Sequence, residues 1–287
     1  MRPSNSDFPT IRGLRCHVRL WGPVDAPRLF LLHGWMDVSA TFQFLVDAFR
    51  REWRVIAPDW RGFGLSAWTD DAYWFPDYLG DLDAILERYS PDEPARLIGH
   101  SMGGNVACLY AGIRPERVKR VATLEGFGLA ATPPDTAPTK YRKWLEQLRG
   151  TPTFGSYASR EELAARLRRD NPRLNEGQAR FLAQHLGVEM QGGQIGIAGD
   201  PYHKVVNPIL YRLEEAMACW RQVQASVLWV AGRESPILRH LRIENCEERL
   251  ACFRDACEVI IEDAGHNPHH DQPQRLADVL EAFLCDE

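Results

Sequence analysis

A serine flanked by two glycines is the first feature of this sequence that could do chemistry. The motif Gly99-x-Ser101-x-Gly103 follows an apolar run at residues 95–98 and precedes a helical pattern that begins at Met102. A strand, a sharp turn and a helix are the setting in which such a serine stands exposed as a nucleophile. The glycines allow the turn to pass close to its neighbours, and the Met102 N–H at the helix start could bind an oxyanion.

A nucleophilic serine needs a base, and the base needs an acid to orient it. His266 follows a strand pattern at residues 258–261, and the order serine, acid, histidine along the chain suits a serine triad. Glu125 ends the apolar run at residues 118–124, where burial of its charge would be costly without a partner such as histidine. Glu234 comes shortly after another apolar run and stays the alternative acid; we predict Glu125.

Four other histidines lie within or beside these motifs, namely His33, His100, His269 and His270. His33 and His100 each stand next to a glycine, and we expect them to shape loops rather than to transfer protons. His269 and His270 share the loop of His266, where we expect them to supply polarity or to support the base.

Composition narrows the class of protein. The chain has 287 residues, a formal net charge of −5 and 45% hydrophobic residues, so it can bury a sizeable core and lacks the basic balance of most nucleic-acid-binding proteins. Residues 1–10 show no apolar signal-peptide core, and no apolar run approaches the roughly 20 residues that span a bilayer. Seven cysteines without a C-x-x-C pair favour reduced thiols, a cytoplasmic location and no metal site.

Alternating strands and helices must position these side chains. Four apolar runs in the first half of the chain alternate with helical patterns (residues 28–32, 54–57, 95–98 and 118–124). This rhythm predicts βαβ units and a mostly parallel sheet. Residues 11–21 alternate in polarity and could form an antiparallel edge strand.

The alternation of strand and helix patterns stops after Gly126, and the next strand pattern is at residues 226–231. The intervening segment is helical in pattern, polar and interrupted by proline and glycine, and it is too long for an ordinary loop. The sequence therefore predicts an α/β core in two parts, residues 1–126 and 223–287, with residues 127–222 inserted as a helical cap.

Four motifs in this order resemble the α/β-hydrolase family. They are His33-Gly34-Trp35, the segment D-W-R-G-F-G-L-S at residues 59–66, the Gly99-x-Ser101-x-Gly103 turn, and Gly265-His266. The resemblance implies an α/β-hydrolase fold, a mostly parallel central sheet flanked by helices with an inserted helical cap. It also implies an oxyanion hole made by the N–H groups of Trp35 and Met102. Within the family the chain resembles the serine-hydrolase-like (Kraken-type) group.

The resemblance also bears on the choice of acid. Many relatives carry an aspartate three residues after the glycine that closes the strand equivalent to residues 227–231, and counting from Gly232 gives Ser235, which is no carboxylate. The haloalkane-dehalogenase-like branch places its acid at the strand end after the nucleophile's helix. That position corresponds to Glu125.

A serine, a histidine and a glutamate suit acyl transfer to water, which needs no cofactor. A serine in place of an aspartate nucleophile weighs against dehalogenase and epoxide-hydrolase chemistry. We expect a serine hydrolase that cleaves carboxylic esters, thioesters or lactones through an acyl-enzyme on Ser101. Two alternatives stay open: a small-molecule-binding or inactive relative, and a C–C bond hydrolase or perhydrolase with the same triad.

Aromatic side chains are expected to line the pocket, since the chain holds nine tryptophans. We predict Trp74, Phe127 and Trp220 as substrate-binding residues. Further candidates lie in the core and in the cap (Trp35, Phe63, Trp68, Tyr157, Phe181 and Leu182). The expected partner is a small, largely apolar substrate, with neither nucleic acid nor membrane, and the sequence leaves the oligomeric state open.

Overall fold

Strands and helices alternate through most of the chain. The computed structural model describes residues 1–69, 72–237 and 246–285. The strands in these ranges are β1 (Ser4–Asp7), β2 (Thr10–Ile11), β3 (Leu14–Arg15), β4 (Val18–Trp21), β5 (Arg28–Leu32), β6 (Arg54–Pro58), β7 (Ala95–His100), β8 (Val118–Leu124), β9 (Gly187–Glu189), β10 (Ile195–Ile197), β11 (Ser226–Gly232) and β12 (Ala256–Ile261). The α-helices are α1 (Gln43–Ala48), α2 (Phe75–Tyr89), α3 (Met102–Ile113), α4 (Ala137–Gln147), α5 (Arg160–Asp170), α6 (Glu176–Leu186), α7 (Leu213–Trp220), α8 (Cys246–Leu250), α9 (Pro268–Asp271) and α10 (Pro273–Cys285).

The central sheet has eight strands in the order β1-β4-β6-β5-β7-β8-β11-β12. The pairs from β6 through β12 are parallel, whereas β1 and β4 join the sheet antiparallel. The predicted α/β fold with a mostly parallel sheet is therefore confirmed.

Helices cover both faces of this sheet. Alternate side chains of β5 point to opposite faces, as the period of two in a strand requires: Phe30 packs in one core cluster and Leu31 in the other. Leu82 of α2 and Val106 of α3 join the first cluster, and Leu280 of α10 joins the second. Burial of such a side chain stabilises the fold by roughly 1.5–3 kcal/mol, so both faces contribute to a rigid sheet.

The register of the sheet brings four strand ends together. Leu124 of β8 is paired with His100 of β7 on one side and with Val230 of β11 on the other. Gly232 at the end of β11 is paired with Ile261 at the end of β12. The residues that follow these strands therefore lie at one edge of the sheet, which is where sites form in α/β folds.

The antiparallel edge differs from the sequence prediction. Residues 11–21 do not form the edge strand, because β4 lies between β1 and β6. The outermost strand on this side is β1, whose sequence Ser-Asn-Ser-Asp has no apolar alternation. A polar strand of this kind is recognised by its backbone pairing and leaves no hydrophobic pattern in the sequence.

Residues 127–225, all of which the structure describes, add no strand to the central sheet. Helices α4 to α7 lie here, together with an antiparallel hairpin of β9 and β10. The prediction of a helical cap did not include this hairpin. Helix α7 packs into the core through Ala216, Met217 and Trp220. The cap boundaries at 126 and 222 stay a prediction.

Three of the seven cysteines are buried, namely Cys16, Cys108 and Cys252. All seven are free thiols, and burial raises the pKa of both Cys16 and Cys108 to about 12, which disfavours a reactive thiolate. Within the described ranges, no helix combines the length and the apolar character needed to cross a membrane.

Candidate active site

Ser101 occupies a strained turn between β7 and α3. Its backbone has φ 50° and ψ −113°, a conformation that costs of order 1–3 kcal/mol for a residue with a side chain. A Cβ atom at Gly99 would lie 2.3 Å from the carbonyl oxygen of Gly103, and one at Gly103 would lie 2.1 Å from that of Leu32. The glycines of the motif are therefore required by close backbone approach.

Glu125 follows β8 directly and is buried, with 3% of its surface exposed. Its Oε1 accepts a hydrogen bond from the Gly232 N–H at 2.6 Å. Its Oε2 accepts hydrogen bonds from the Ser235 hydroxyl at 2.5 Å and from Nδ1 of His266 at 3.2 Å. Three donors compensate the burial of this carboxylate.

His266 lies in the loop between β12 and α9, and its backbone is held on both sides. The N–H of Gly265 donates to Asp271 at 2.8 Å, and the carbonyl of His266 accepts from Nε2 of His100 at 2.8 Å. Because Nδ1 donates to Glu125, the other ring nitrogen, Nε2, is left as the acceptor. His266 and Ser101 line the same cavity.

Glu234, the alternative acid, points elsewhere. Its side chain is 53% exposed and forms an ion pair with Arg173. The next residue, Ser235, is the one that reaches Glu125, a role that sequence reasoning did not foresee. The only signal for it in the sequence is its position, three residues after Gly232.

The loop that carries Trp35 is braced by a buried histidine. His33 donates through Nδ1 to the Gly34 carbonyl at 2.7 Å and accepts through Nε2 from the Trp60 N–H at 2.9 Å. Burial lowers the pKa of His33 to about 4, so the ring is neutral and shapes the loop. Trp35 and Met102 line a shared cavity, which brings the two predicted oxyanion residues to one place.

Asp59 anchors the next motif. The buried carboxylate accepts hydrogen bonds from Nδ1 of His17 at 2.7 Å, from the Ser39 N–H at 2.7 Å and from the Leu65 N–H at 2.9 Å. Burial alone would raise the pKa of Asp59, but the hydrogen bond and charge of His17 hold it at about 2. The carboxylate thus ties the D-x-R-G segment to the segment after the Trp35 loop.

Two cavities meet at Trp35. The first, here called the leucine cavity, has a volume of about 280 Å³ and contains Ser101 and His266. Its apolar lining comes from the predicted cap (Leu167, Leu174, Leu182 and Leu186). The second, the aromatic cavity, has a volume of about 210 Å³ and includes Met102 and Trp74. Further side chains of its lining come from the predicted core and from the predicted cap (Tyr73, Phe75, Trp144, Tyr202 and His203).

Of the three residues predicted to bind substrate, only Trp74 lines either of these cavities. Phe127 is buried against Trp229 at a ring-centroid distance of 4.6 Å, and Trp220 stacks on Phe253 at 5.7 Å. Phe127 and Trp220 line neither cavity, because both side chains are taken up by core packing; their role in substrate binding stays a prediction. The sequence alone does not reveal their packing partners, which lie far along the chain.

His269 and His270 are buried in α9, and this differs from the expected loop polarity. The carbonyl of His270 accepts a hydrogen bond from Gln178 of α6 at 3.0 Å. Asn171 donates to Asp271 at 2.6 Å. The segment that carries His266 is therefore docked against the predicted cap.

The comparisons with known proteins agree with this geometry. The family described as alpha/beta hydrolase fold matches residues 27–273. A "Serine hydrolase-like protein" of Danio rerio is 29% identical over 93% of this chain and 84% of its own length. A "3-hydroxybutyrate-oligomer hydrolase" of Cupriavidus necator is 29% identical over 90% of this chain and 88% of its own. Among solved structures, a "Thioesterase Domain From Curacin Biosynthetic Pathway" shares the fold with a TM-score of 0.88, at 24% identity over 98% of this chain and 99% of that one. Relatives named serine hydrolase-like proteins are thus similar to this chain, and the chain belongs to the α/β-hydrolase family of enzymes.

Proposed function

We propose that this hydrolase cleaves carboxylic esters, thioesters or lactones of small, largely apolar substrates through an acyl-enzyme on Ser101. The observation that carries the proposal is the 3.2 Å contact between Glu125 Oε2 and His266 Nδ1, at a cavity that also contains Ser101. Position 235, where many relatives carry the acid, is a serine in this chain, and the lack of an acid there was the main reason to consider an inactive relative. The contact between Glu125 and His266 weighs against that alternative.

In the first half of the reaction, Nε2 of His266 takes the proton of Ser101 while Oγ attacks the substrate carbonyl carbon. The N–H groups of Trp35 and Met102 hold the resulting oxyanion, each donor being worth about 3 kcal/mol. His266 then gives its proton to the leaving oxygen or sulfur, and the carbonyl re-forms as the acyl-enzyme.

In the second half, His266 takes a proton from water as that water attacks the acyl carbon, and returns it to Oγ as the acid leaves. Glu125 stabilises the imidazolium in both halves and fixes which ring nitrogen carries the proton. The hydrogen bonds from Gly232 and Ser235 hold this carboxylate in place beside His266.

The two cavities suggest how a substrate lies. His266 lines the leucine cavity, and the leaving group must be within reach of its proton. Trp35 and Met102, the oxyanion residues, line the aromatic cavity. We therefore place the alcohol or thiol part in the leucine cavity and the acyl part in the aromatic cavity, with residues 127–222 as the cap that contributes to both.

The relatives support an ester substrate. The name of the Cupriavidus necator protein states hydrolysis of 3-hydroxybutyrate oligomers, whose units are joined by esters, and that protein aligns over 90% of this chain. The leucine side chains of one cavity and the aromatic rings of the other favour an apolar group on each side of the scissile bond.

A fluorophosphonate probe and a panel of esters test the proposal. We expect the probe to label Ser101 and the enzyme to hydrolyse short or medium acyl esters. Ser101→Ala should lose both properties, whereas Ser156→Ala, at an exposed serine, should keep them. Absence of both labelling and turnover in the wild-type protein would overturn the proposal.

A further inference from the structure

Three buried side chains form a cluster beside the base. Asp37 lies in the loop after β5, His100 at the end of β7 and His269 in α9, and one potential ligand atom from each lies within 4.8 Å of the others. Nδ1 of His100 is 4.0 Å from Oδ2 of Asp37. His100 is 3% exposed and His269 0%. We call this group the Asp37–His100–His269 cluster.

Three ring nitrogens of this cluster are buried and have no hydrogen-bond partner among the described residues, which is unusual for a protein interior. They are Nδ1 of His100 and both ring nitrogens of His269. Buried polar atoms are nearly always hydrogen-bonded, and each exception calls for an explanation. In a neutral imidazole one nitrogen has a free lone pair and the other carries the proton, so a ligand that accepts lone pairs would satisfy one nitrogen of His269 and Nδ1 of His100.

Two members of the cluster, Asp37 and His100, have outer hydrogen bonds of the kind that orient metal ligands. Nε2 of His100 donates to the carbonyl of His266 at 2.8 Å, which leaves the lone pair on Nδ1 facing Asp37. The Asp37 carboxylate accepts from the Val38 N–H at 2.9 Å and from the Thr41 hydroxyl at 3.0 Å. Histidine and carboxylate ligands characteristically have such outer hydrogen bonds, which fix ring tautomer and carboxylate direction.

We propose that the Asp37–His100–His269 cluster binds a divalent transition-metal ion of the Zn²⁺ type. Two imidazoles and one carboxylate are a donor set that such ions favour. Bond lengths of about 2.1 Å require tetrahedral donors roughly 3.4 Å apart, so the present spread of up to 4.8 Å closes with small side-chain rotations. The sequence predicted no metal site, because its ligands are far apart along the chain.

The residues around the cluster indicate how the ion enters and how it affects hydrolysis. Asp37 and His100 line the leucine cavity together with His266, so the ion enters through the substrate cavity and a water completes its coordination. The rings of His100 and His266 are 4.8 Å apart. An ion with its bound water at this position fills the part of the leucine cavity next to His266, so it competes with the substrate and inhibits the hydrolase. This inhibition rests on the proposed function, whereas metal binding does not.

The binding test uses the full chain without a purification tag. Titration calorimetry with Zn²⁺ should show one ion bound per chain, and Co²⁺ should give the intense visible absorption of a four-coordinate site. His269→Phe should weaken Zn²⁺ binding at least tenfold and abolish the Co²⁺ bands. The fold should tolerate this change, because the ring of His269 makes no hydrogen bond to any residue that the structure describes and packs against Phe42 at 5.2 Å. His185→Phe, at a half-buried histidine in α6, is the matched control and should bind as the wild type does.

A second variant keeps the test decisive if His269→Phe fails to fold. Asp37→Asn keeps the shape of the side chain and removes its charge, and it should also weaken Zn²⁺ binding at least tenfold. If the wild type binds no stoichiometric Zn²⁺, or if folded cluster variants bind it as tightly as the His185→Phe control, the proposal is wrong. Binding without an effect on ester hydrolysis would refute the inhibition alone.

Discussion

The hydroxyl of Ser235 lies 2.5 Å from Oε2 of Glu125, the same carboxylate oxygen that faces Nδ1 of His266. The resemblance to related enzymes suggested an acid at position 235, and this chain instead has a hydrogen-bond donor there. The side chain at the position that relatives use for the acid thus contacts Glu125, the acid proposed for this chain, at the oxygen that faces His266. We therefore propose that Ser235 acts through Glu125 as a positioning residue.

We expect Ser235→Ala to lower kcat about tenfold and to leave KM nearly unchanged. Loss of one hydrogen bond to a charged group costs roughly 1.5–3 kcal/mol, and the buried carboxylate becomes free to turn away from His266. Steady-state kinetics on an activated ester measure the effect. Ser235→Thr keeps the hydroxyl and should recover most of the rate; equal losses in both variants would assign the effect to packing.

Exchange of carboxylate for amide separates the two candidate acids. Glu125→Gln should reduce kcat/KM by about 10³-fold or more, because an amide cannot stabilise the imidazolium and favours the wrong histidine tautomer. Glu234→Gln is the matched control: it breaks an ion pair with Arg173 whose glutamate is 53% exposed, and it should change kcat/KM by less than about threefold. A large loss in Glu234→Gln with little effect of Glu125→Gln would reverse our assignment.

The pKa of Asp59 predicts an acid-dependent part of the stability. The folded-state pKa of about 2 lies below the ordinary value of 3.8, so the carboxylate stabilises the fold above about pH 4. This contribution, of order 2 kcal/mol, decreases as the pH falls from 4 towards 2. Asp59→Asn should therefore be less stable than the wild type at pH 7, and the gap should narrow by roughly 1 kcal/mol at pH 3.

Urea unfolding at both pH values measures this gap. Asp278→Asn serves as the control, since its carboxylate is 45% exposed and pairs with Arg50 at the surface. Its effect should stay below about 0.5 kcal/mol at either pH. A gap for Asp59→Asn that is the same at pH 3 and pH 7 would show that the carboxylate is not held in its charged form by the fold.

Local features of the chain could be predicted because their causes are local. The glycines at 99 and 103 are required by a turn of five residues, and a motif this short can be recognised directly in the sequence. Glu125 could be favoured over Glu234 because a charge at the end of an apolar strand needs a partner. The strand and helix pattern likewise depends on side chains a few positions apart.

Features that depend on distant packing could not be predicted. Phe127 and Trp74 are both aromatic and were both predicted to bind substrate, and it is the packing of Phe127 against distant residues such as Trp229 on β11 that makes it a core residue. The Asp37–His100–His269 cluster joins three segments that have no common pattern in the sequence. Its members become neighbours only after the sheet has formed and α9 has docked.

The proposal places the acyl part of the substrate in the aromatic cavity and the alcohol part in the leucine cavity. It therefore predicts that specificity for each part can be changed without changing specificity for the other. Two ester series are required, one that varies the acyl chain at constant alcohol and one that varies the alcohol at constant acyl chain. Trp74→Ala removes an apolar wall of the aromatic cavity and should change relative kcat/KM along the acyl series by about tenfold or more, since a lost apolar contact is worth roughly 1–3 kcal/mol. Leu167→Ala, in the leucine cavity, should act on the alcohol series instead.

Leu145→Ala is the control for both series, because this leucine is 53% exposed on α4 and lines neither cavity. It should leave both specificity profiles as in the wild type. If Trp74→Ala alters the alcohol series and Leu167→Ala the acyl series, the substrate lies in the opposite direction. In that case the proton from His266 would have to reach a leaving group in the aromatic cavity, although His266 lines the leucine cavity, so the orientation of its ring would need revision together with that of the substrate.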